Sequence, residues 1–339
     1  MKKILIALLV FICLISVGIG TSQAENNVVW KLSHHRPVDS QLDKDMKAFA
    51  AEVDKKTNGR VKIQVFPAAQ LGGSEGAMER VSMGSIEMMV GYPNSTLDPK
   101  LDIYSLPGTA KDFKELKLLF AKGSPYMNIL EEIFDSLDIT VLAAYTTAFT
   151  GMCFKGEPTS PLNPLANHKE KIRVPSINSY RYTAEALGYL TTPLPWGEVF
   201  TALQTGVVDG VYGPAAEPTY TTLRDVIKTY IPLNVQADMF FLIANKQILG
   251  SIGKEDQKII KGIAAKMEAS RFTKGAEEQK MWEGKMADKG IKVINLTDAQ
   301  RSAFQKRIQE YGWPLLRKAM GEQFFDKTID AWKKAMMKK

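Results

Sequence analysis

Between Lys171 and Gly210 the chain alternates short apolar runs with short helical runs, and this rhythm restricts the fold more than any other feature. Arg173 sits between Ile172 and Val174 in a strand that Pro175 ends. A helix is expected from about Ser179, closed by Leu187-Gly188. A second strand leads to Pro195-Trp196, and a helix from Glu198 to Thr205 stops at Gly206. Val207-Val208-Asp209-Gly210 reads as the next strand. Such an order implies an α/β domain with a largely parallel sheet, whose ligands bind beyond the carboxyl ends of its strands. Arg173 is a permanent cation, so if buried it requires an anionic partner. At a strand end facing a cleft, it is suited to hold an oxyanion.

The N-terminal third repeats the rhythm. Val28 to Leu32 reads as a strand, and Leu42, Met46, Phe49, Ala50 and Val53 share one face of a helix closed by Asn58-Gly59. Val61, Ile63 and Val65 alternate as a second strand. Gly72-Gly73-Ser74 turns into a helix through Val81, and Ile86 to Val90 forms a third strand. Helices over Lys111–Lys122 and Tyr126–Leu137 precede a strand from Ile139 to Tyr145. The C-terminal third, with long helices from Lys254, Asp298 and Gly321, reads as cladding and bracing between domains. A chain of 339 residues, 45% hydrophobic, has enough apolar material for two cores.

Met1-Lys2-Lys3, the apolar run Ile4–Ile19 and the small residues of Ser22-Gln23-Ala24 form a secretory leader, so residues 1–24 are expected to be removed before Glu25. The apolar run is shorter than the roughly 18 residues a spanning helix needs. Of the two cysteines, Cys13 leaves with the leader; Cys153, in an apolar run, reads as an inert buried thiol with no disulfide partner. The net charge of +7 is spread out, and no basic patch with interleaved aromatics argues for nucleic acid.

Enzyme constellations are missing. There is no GxSxG elbow, Glu255 after Gly253-Lys254 spoils a phosphate loop, and Gly72-Gly73-Ser74-Glu75-Gly76 lacks dinucleotide spacing. The three histidines, His34, His35 and His168, make a poor metal set, since adjacent residues on an extended chain point to opposite sides. No enzyme, cofactor or metal is expected; what remains fits binding.

The order and spacing of several pieces resemble the solute-binding proteins of tripartite ATP-independent periplasmic (TRAP) transporters, the C4-dicarboxylate-binding family in the broad sense. Those pieces are Lys171-Ile172-Arg173-Val174-Pro175, Ala186-Leu187-Gly188, Glu198-Val199-Phe200 and Ala202 through Gly210. Upstream, Lys56 to Ile63, Phe66-Pro67 and Gln70-Leu71-Gly72 match in the same order. The resemblance spans about Trp30 to Thr297. It implies a two-domain periplasmic-binding-protein fold (type II-like) with an interdomain cleft, hinge crossings and long C-terminal helices. The expected division is 25–146 plus 239–280 for the first domain and 147–238 plus 281–335 for the second. It also implies a periplasmic, monomeric receptor that passes a small organic anion to the small and large membrane subunits of an ion-driven permease. An enzyme or a sensor-coupled binder on the same fold are the alternatives.

The resemblance also points to site residues. Arg173 would clamp a ligand carboxylate through two parallel hydrogen bonds, and Trp196 would pack on the solute. Phe240, Asn178, Ser33, His34, Tyr92 and Asn94 stand at further contact positions. This sequence departs from the family in two places. Tyr212-Gly213 replaces the acidic residue and asparagine found after Val208-Asp209-Gly210, and Phe149 stands where the sialic-acid branch has a second arginine nearby. One arginine with neutral donors and aromatics suggests a single anionic group, carboxylate or sulfonate.

Overall fold

The computed structural model describes residues 27–337; the expected leader lies outside them. Two sheets organise the chain. In the first, β1 (Val28–Ser33) lies between β2 (Val61–Phe66) and β3 (Met88–Gly91), all parallel. β10 (Ala237–Asn245) runs antiparallel to β3 and carries the edge strand β4 (Ile139–Phe149) on its far side. Helix α1 (Gln41–Lys56) is started by Ser40, whose side chain accepts from the Asp43 amide. Its Leu42, Met46, Phe49 and Val53 bury against Trp30 and Leu32 of β1. Each such burial contributes roughly 1.5–3 kcal/mol. The helix ends where Asn58 and Gly59 take left-handed φ values of 51° and 80°, a conformation that glycine adopts without strain.

The second sheet has the order β11-β9-β5-β8-β6-β7. Its strands are β5 (Met152–Phe154), β6 (Lys171–Val174), β7 (Leu190–Pro193), β8 (Gly210–Tyr212), β9 (Thr229–Ile231) and β11 (Lys292–Val293). β6, next to the edge strand β7, is parallel to both β7 and β8. The strand expected over 207–210 begins only at Gly210. A Cβ there would stand 2.6 Å from the Phe154 ring and 2.7 Å from the Cys153 carbonyl oxygen. Just before it, the Asp209 carboxylate takes the Lys171 amide at 2.9 Å. Burial pushes the Cys153 thiol up to about 12, which keeps it unreactive.

Three segments join the sheets. β4 runs out of the first and continues through Gly151 into β5; β9 returns into β10; and a 35-residue helix, α9 (Lys254–Asp288), packs along β4 and reaches β11. Gly275 of α9 lets the helix lie on Phe113, whose Cε1 would be 2.2 Å from an added Cβ. Beyond it, α10 (Asp298–Met320) packs on α5 (Asn178–Ala186) of the second domain. The last helix, α11 (Glu322–Met336), lies within the range assigned from sequence to the second domain, 281–335. It packs instead on α3 (Phe113–Phe120) and α4 (Pro125–Ser136), which follow the first sheet. The Trp332 indole fixes it by donating to the Thr109 carbonyl at 2.7 Å.

Candidate functional site

The carboxyl ends of β1 and β3 and the amino end of the antiparallel β10 lie on the same side of the first sheet, bringing His35, Arg36, Tyr92, Asp238 and Phe240 together. Arg36 Nη2 bonds Asp238 Oδ2 at 2.8 Å, and the Tyr92 hydroxyl donates to Asp238 Oδ1 at 3.0 Å. The Tyr92 ring lies 4.5 Å from Phe240 and stacks on His35 at 5.3 Å. His35 Nδ1 is 2.8 Å from the hydroxyl of Ser74, the first residue of α2 (Ser74–Ser82). A register shift between Asp238 and Met239 bends β10 at this point, as bulges next to binding sites often do.

The second domain supplies Arg173 from the end of β6, Trp196 from a single 3-10 turn (Trp196–Glu198), and Tyr180 from the first turn of α5. Trp196 links the two domains. Its ring centroid is 5.7 Å from the guanidinium carbon of Arg173 and 6.0 Å from that of Arg36. Arg36 also lies 4.9 Å from the Phe240 ring. Across the mouth, the Gln41 amide donates to Glu217 Oε1 at 2.9 Å, joining α1 to α7 (Ala216–Leu223).

Charge is distributed unevenly here. Arg173, 5% exposed, gives its Nε to the Leu194 carbonyl at 2.8 Å and makes no salt bridge among the described residues. Burial pulls its guanidinium down to about 10, only partly offset by Tyr92 and Tyr180; it stays cationic at neutral pH. Burial and the two arginines hold His35 well below its ordinary value, so its ring is neutral. Arg36 and Asp238 cancel, which leaves one net positive charge. The Tyr180 hydroxyl is buried with no partner among the described residues. A desolvated cation and an unpaired hydroxyl together make a place for a small anion with polar substituents.

Residues 32–314 match the family described as bacterial extracellular solute-binding protein, family 7. The chain belongs to this family. Its relatives are TRAP solute-binding receptors. The ectoine-binding periplasmic protein of Halomonas elongata is 26% identical over 302 residues, 87% of this chain and 86% of that protein. The C4-dicarboxylate-binding periplasmic protein of Rhodobacter capsulatus is 25% identical, covering 95% of each. The crystal structure of a TRAP periplasmic solute-binding protein from Desulfovibrio salexigens with bound orotic acid superposes with a TM-score of 0.81. The identity is 22%, over 91% of this chain and 99% of that one. This receptor therefore has the two-domain fold of TRAP solute-binding proteins, a family of receptors and not of enzymes, whose members bind small organic ligands and work with membrane permease subunits.

Several expected contact residues of the receptor have other partners. His34 turns away from the cleft to Asp43 at 3.2 Å; it shares the parity of Trp30 and Leu32, which face α1, and leaves the cleft side to His35. Ser33 is buried, its hydroxyl without a partner among the described residues. Asn94 braces its own loop, donating to the Glu75 carbonyl and accepting from Thr96. Phe149 packs edge-to-face on Phe113 at 5.3 Å, and Asn178 Oδ1 accepts from Arg181 Nη2 at 3.3 Å. The Tyr212 hydroxyl donates to Gln236 Oε1 at 2.6 Å behind the cleft. Gly213, at φ 120°, lies under the Tyr180 ring, whose Cδ1 would be 3.1 Å from an added Cβ. The expectation of a single cleft arginine is corrected by Arg36. Sequence reading also passed over Asp238 and Tyr180, and of the run Ser33-His34-His35 it chose His34 over His35; the parity of Trp30 and Leu32 was the signal for His35.

Proposed function

We propose that this receptor is exported to the periplasm, captures a small organic mono-anion, carboxylate or sulfonate, between its domains, and delivers it to a TRAP permease. The observation that carries this reading is Arg173, buried without a carboxylate. With Nε committed to Leu194, its two terminal amines form a fork that matches two oxygens of one anionic group. Trp196, Phe240 and Tyr92 supply flat walls, and the neutral His35 and Tyr180 supply uncharged hydrogen-bonding groups. The orotic acid bound by the Desulfovibrio salexigens protein is a flat monoacid and fits this reading. A dianion would bring a second charge into a site carrying one net positive charge, at a desolvation cost of several kcal/mol. A thermal-shift screen of organic acids on the chain lacking residues 1–24, followed by calorimetric competition, tests this. Hydroxy and keto monoacids, orotate and short sulfonates should rank above succinate, malate and sialic acid. Tight succinate or malate binding with the mono-anions inactive would overturn the mono-anion reading and leave the family intact.

A further inference from the structure

Arg36 and Asp238 stand 202 positions apart in sequence and meet at 2.8 Å beside the cleft. Their pair touches the same indole that Arg173 touches, with the two guanidinium carbons 6.0 and 5.7 Å from its centroid. Two guanidinium groups around one aromatic ring would form a site for a dianion. Asp238, fully buried, prevents this: one oxygen takes Arg36 and the other takes the Tyr92 hydroxyl at 3.0 Å. The β10 register shift falls at Asp238/Met239, where that carboxylate meets Arg36.

We propose that Asp238 is a specificity-determining residue, an internal carboxylate that occupies Arg36 and so restricts the cleft to ligands with one anionic group. This rests on the reading of Arg173 as the ligand clamp and adds what excludes dianions. Asp238 acts in two ways: it saturates the second cation, and its own charge repels any second carboxylate brought near it. At an effective dielectric constant near 20, a unit charge at 6–8 Å changes affinity by roughly tenfold to a hundredfold.

The test is calorimetric titration of the wild-type receptor, Asp238→Asn, Arg36→Met and the double variant against matched probes: lactate with malate, pyruvate with oxaloacetate, and orotate. Asp238→Asn keeps the shape and an acceptor for Arg36 but removes the charge. Its dianion-to-mono-anion affinity ratio should rise by roughly ten- to a hundredfold. Arg36→Met removes the cation paired with Asp238 and so adds net negative charge beside the bound anion; mono-anion affinity should fall by about tenfold or more. The double variant should recover most of that loss, since the two charges vanish together. An unchanged ratio in Asp238→Asn would overturn the inference while leaving Arg173 as clamp. A loss in Arg36→Met that the double variant does not recover would make Arg36 a direct ligand group and overturn it too. Wild-type receptor that binds only the diacids, or no acid at all, would remove the mono-anion reading first and this inference with it. Melting curves check folding, and should Arg36→Met not fold, the Asp238→Asn ratio decides alone.

Discussion

The cleft and the brace between the domains each bury an arginine, and they treat it oppositely. Arg271 of α9, 2% exposed, pairs with Glu278 through both terminal amines, lies 3.5 Å from Asp45, and donates from Nε to the Thr146 carbonyl at 3.3 Å. Burial alone would lower it, yet Tyr145, Glu278 and Asp45 outweigh burial and its pKa rises. Arg173, equally buried, has only a carbonyl and falls to about 10. A scaffold satisfies its buried cations, because an unpaired one costs several kcal/mol. The cleft leaves one unsatisfied, and that difference separates a brace from a binding site.

Replacing each arginine separates the two roles. Arg173→Ala should cost roughly 3–5 kcal/mol of ligand binding while the ligand-free protein melts no earlier, and Arg173→Lys should also weaken binding by losing the planar fork. Titration returning the wild-type dissociation constant for Arg173→Ala would assign the residue to the scaffold. Arg271→Met should do the reverse, lowering unfolding stability by about 3 kcal/mol in denaturant melts. A stable Arg271→Met protein would show that the brace does not depend on its ion pairs.

The sequence conveyed the scaffold better than the charge balance. The strand–helix alternation around Arg173 and the helical face of Leu42, Met46, Phe49 and Val53 are local patterns, and local patterns follow from backbone period. Arg36 lies in a turn after β1, where no period operates, and its partner arrives from β10 across most of the chain. Nothing near Asp238 in sequence announces that pairing. The sequence put α11 with the second domain, and its packing on α3 and α4 of the first escaped for the same reason: amphipathicity tells that a helix packs, not on which domain.

Asp102 offers an anionic counterpart to Arg173 at the domain boundary. It sits in the 3-10 turn Pro99–Ser105 near the start of α5, and Ser105 Oγ meets Ser179 Oγ of α5 at 2.6 Å. Burial pushes the Asp102 carboxyl up to about 6; Ser95 and the Asn178 and Ser179 amides pull it back, but none reaches full hydrogen-bond geometry. The folded state therefore holds this proton more tightly than the unfolded chain. Stability should fall as pH rises from about 4 to about 6. Asp102→Asn should remove that slope and gain about 3 kcal/mol at neutral pH, at about 1.4 kcal/mol per pKa unit. Melts showing the same pH slope in both proteins would mean that Asp102 is solvated in solution.

The finest version of the contrast lies in two tyrosines. Tyr126, at the start of α4, is fully buried and donates to the Ile103 carbonyl at 2.6 Å. Tyr180 is as deeply buried but its hydroxyl has no partner among the described residues. Removing a hydroxyl that is bonded within the fold strands the carbonyl it served, so Tyr126→Phe should destabilise by about 1 kcal/mol and leave ligand affinity alone. Removing an unpartnered hydroxyl relieves a desolvated dipole. Tyr180→Phe should therefore melt at or slightly above the wild-type temperature, yet lose about 1 kcal/mol of binding to a ligand with a polar group in reach. Parallel melting and titration of the two variants would display opposite signatures, and a Tyr180→Phe protein with lowered stability and unaltered affinity would move Tyr180 from the binding site to the scaffold.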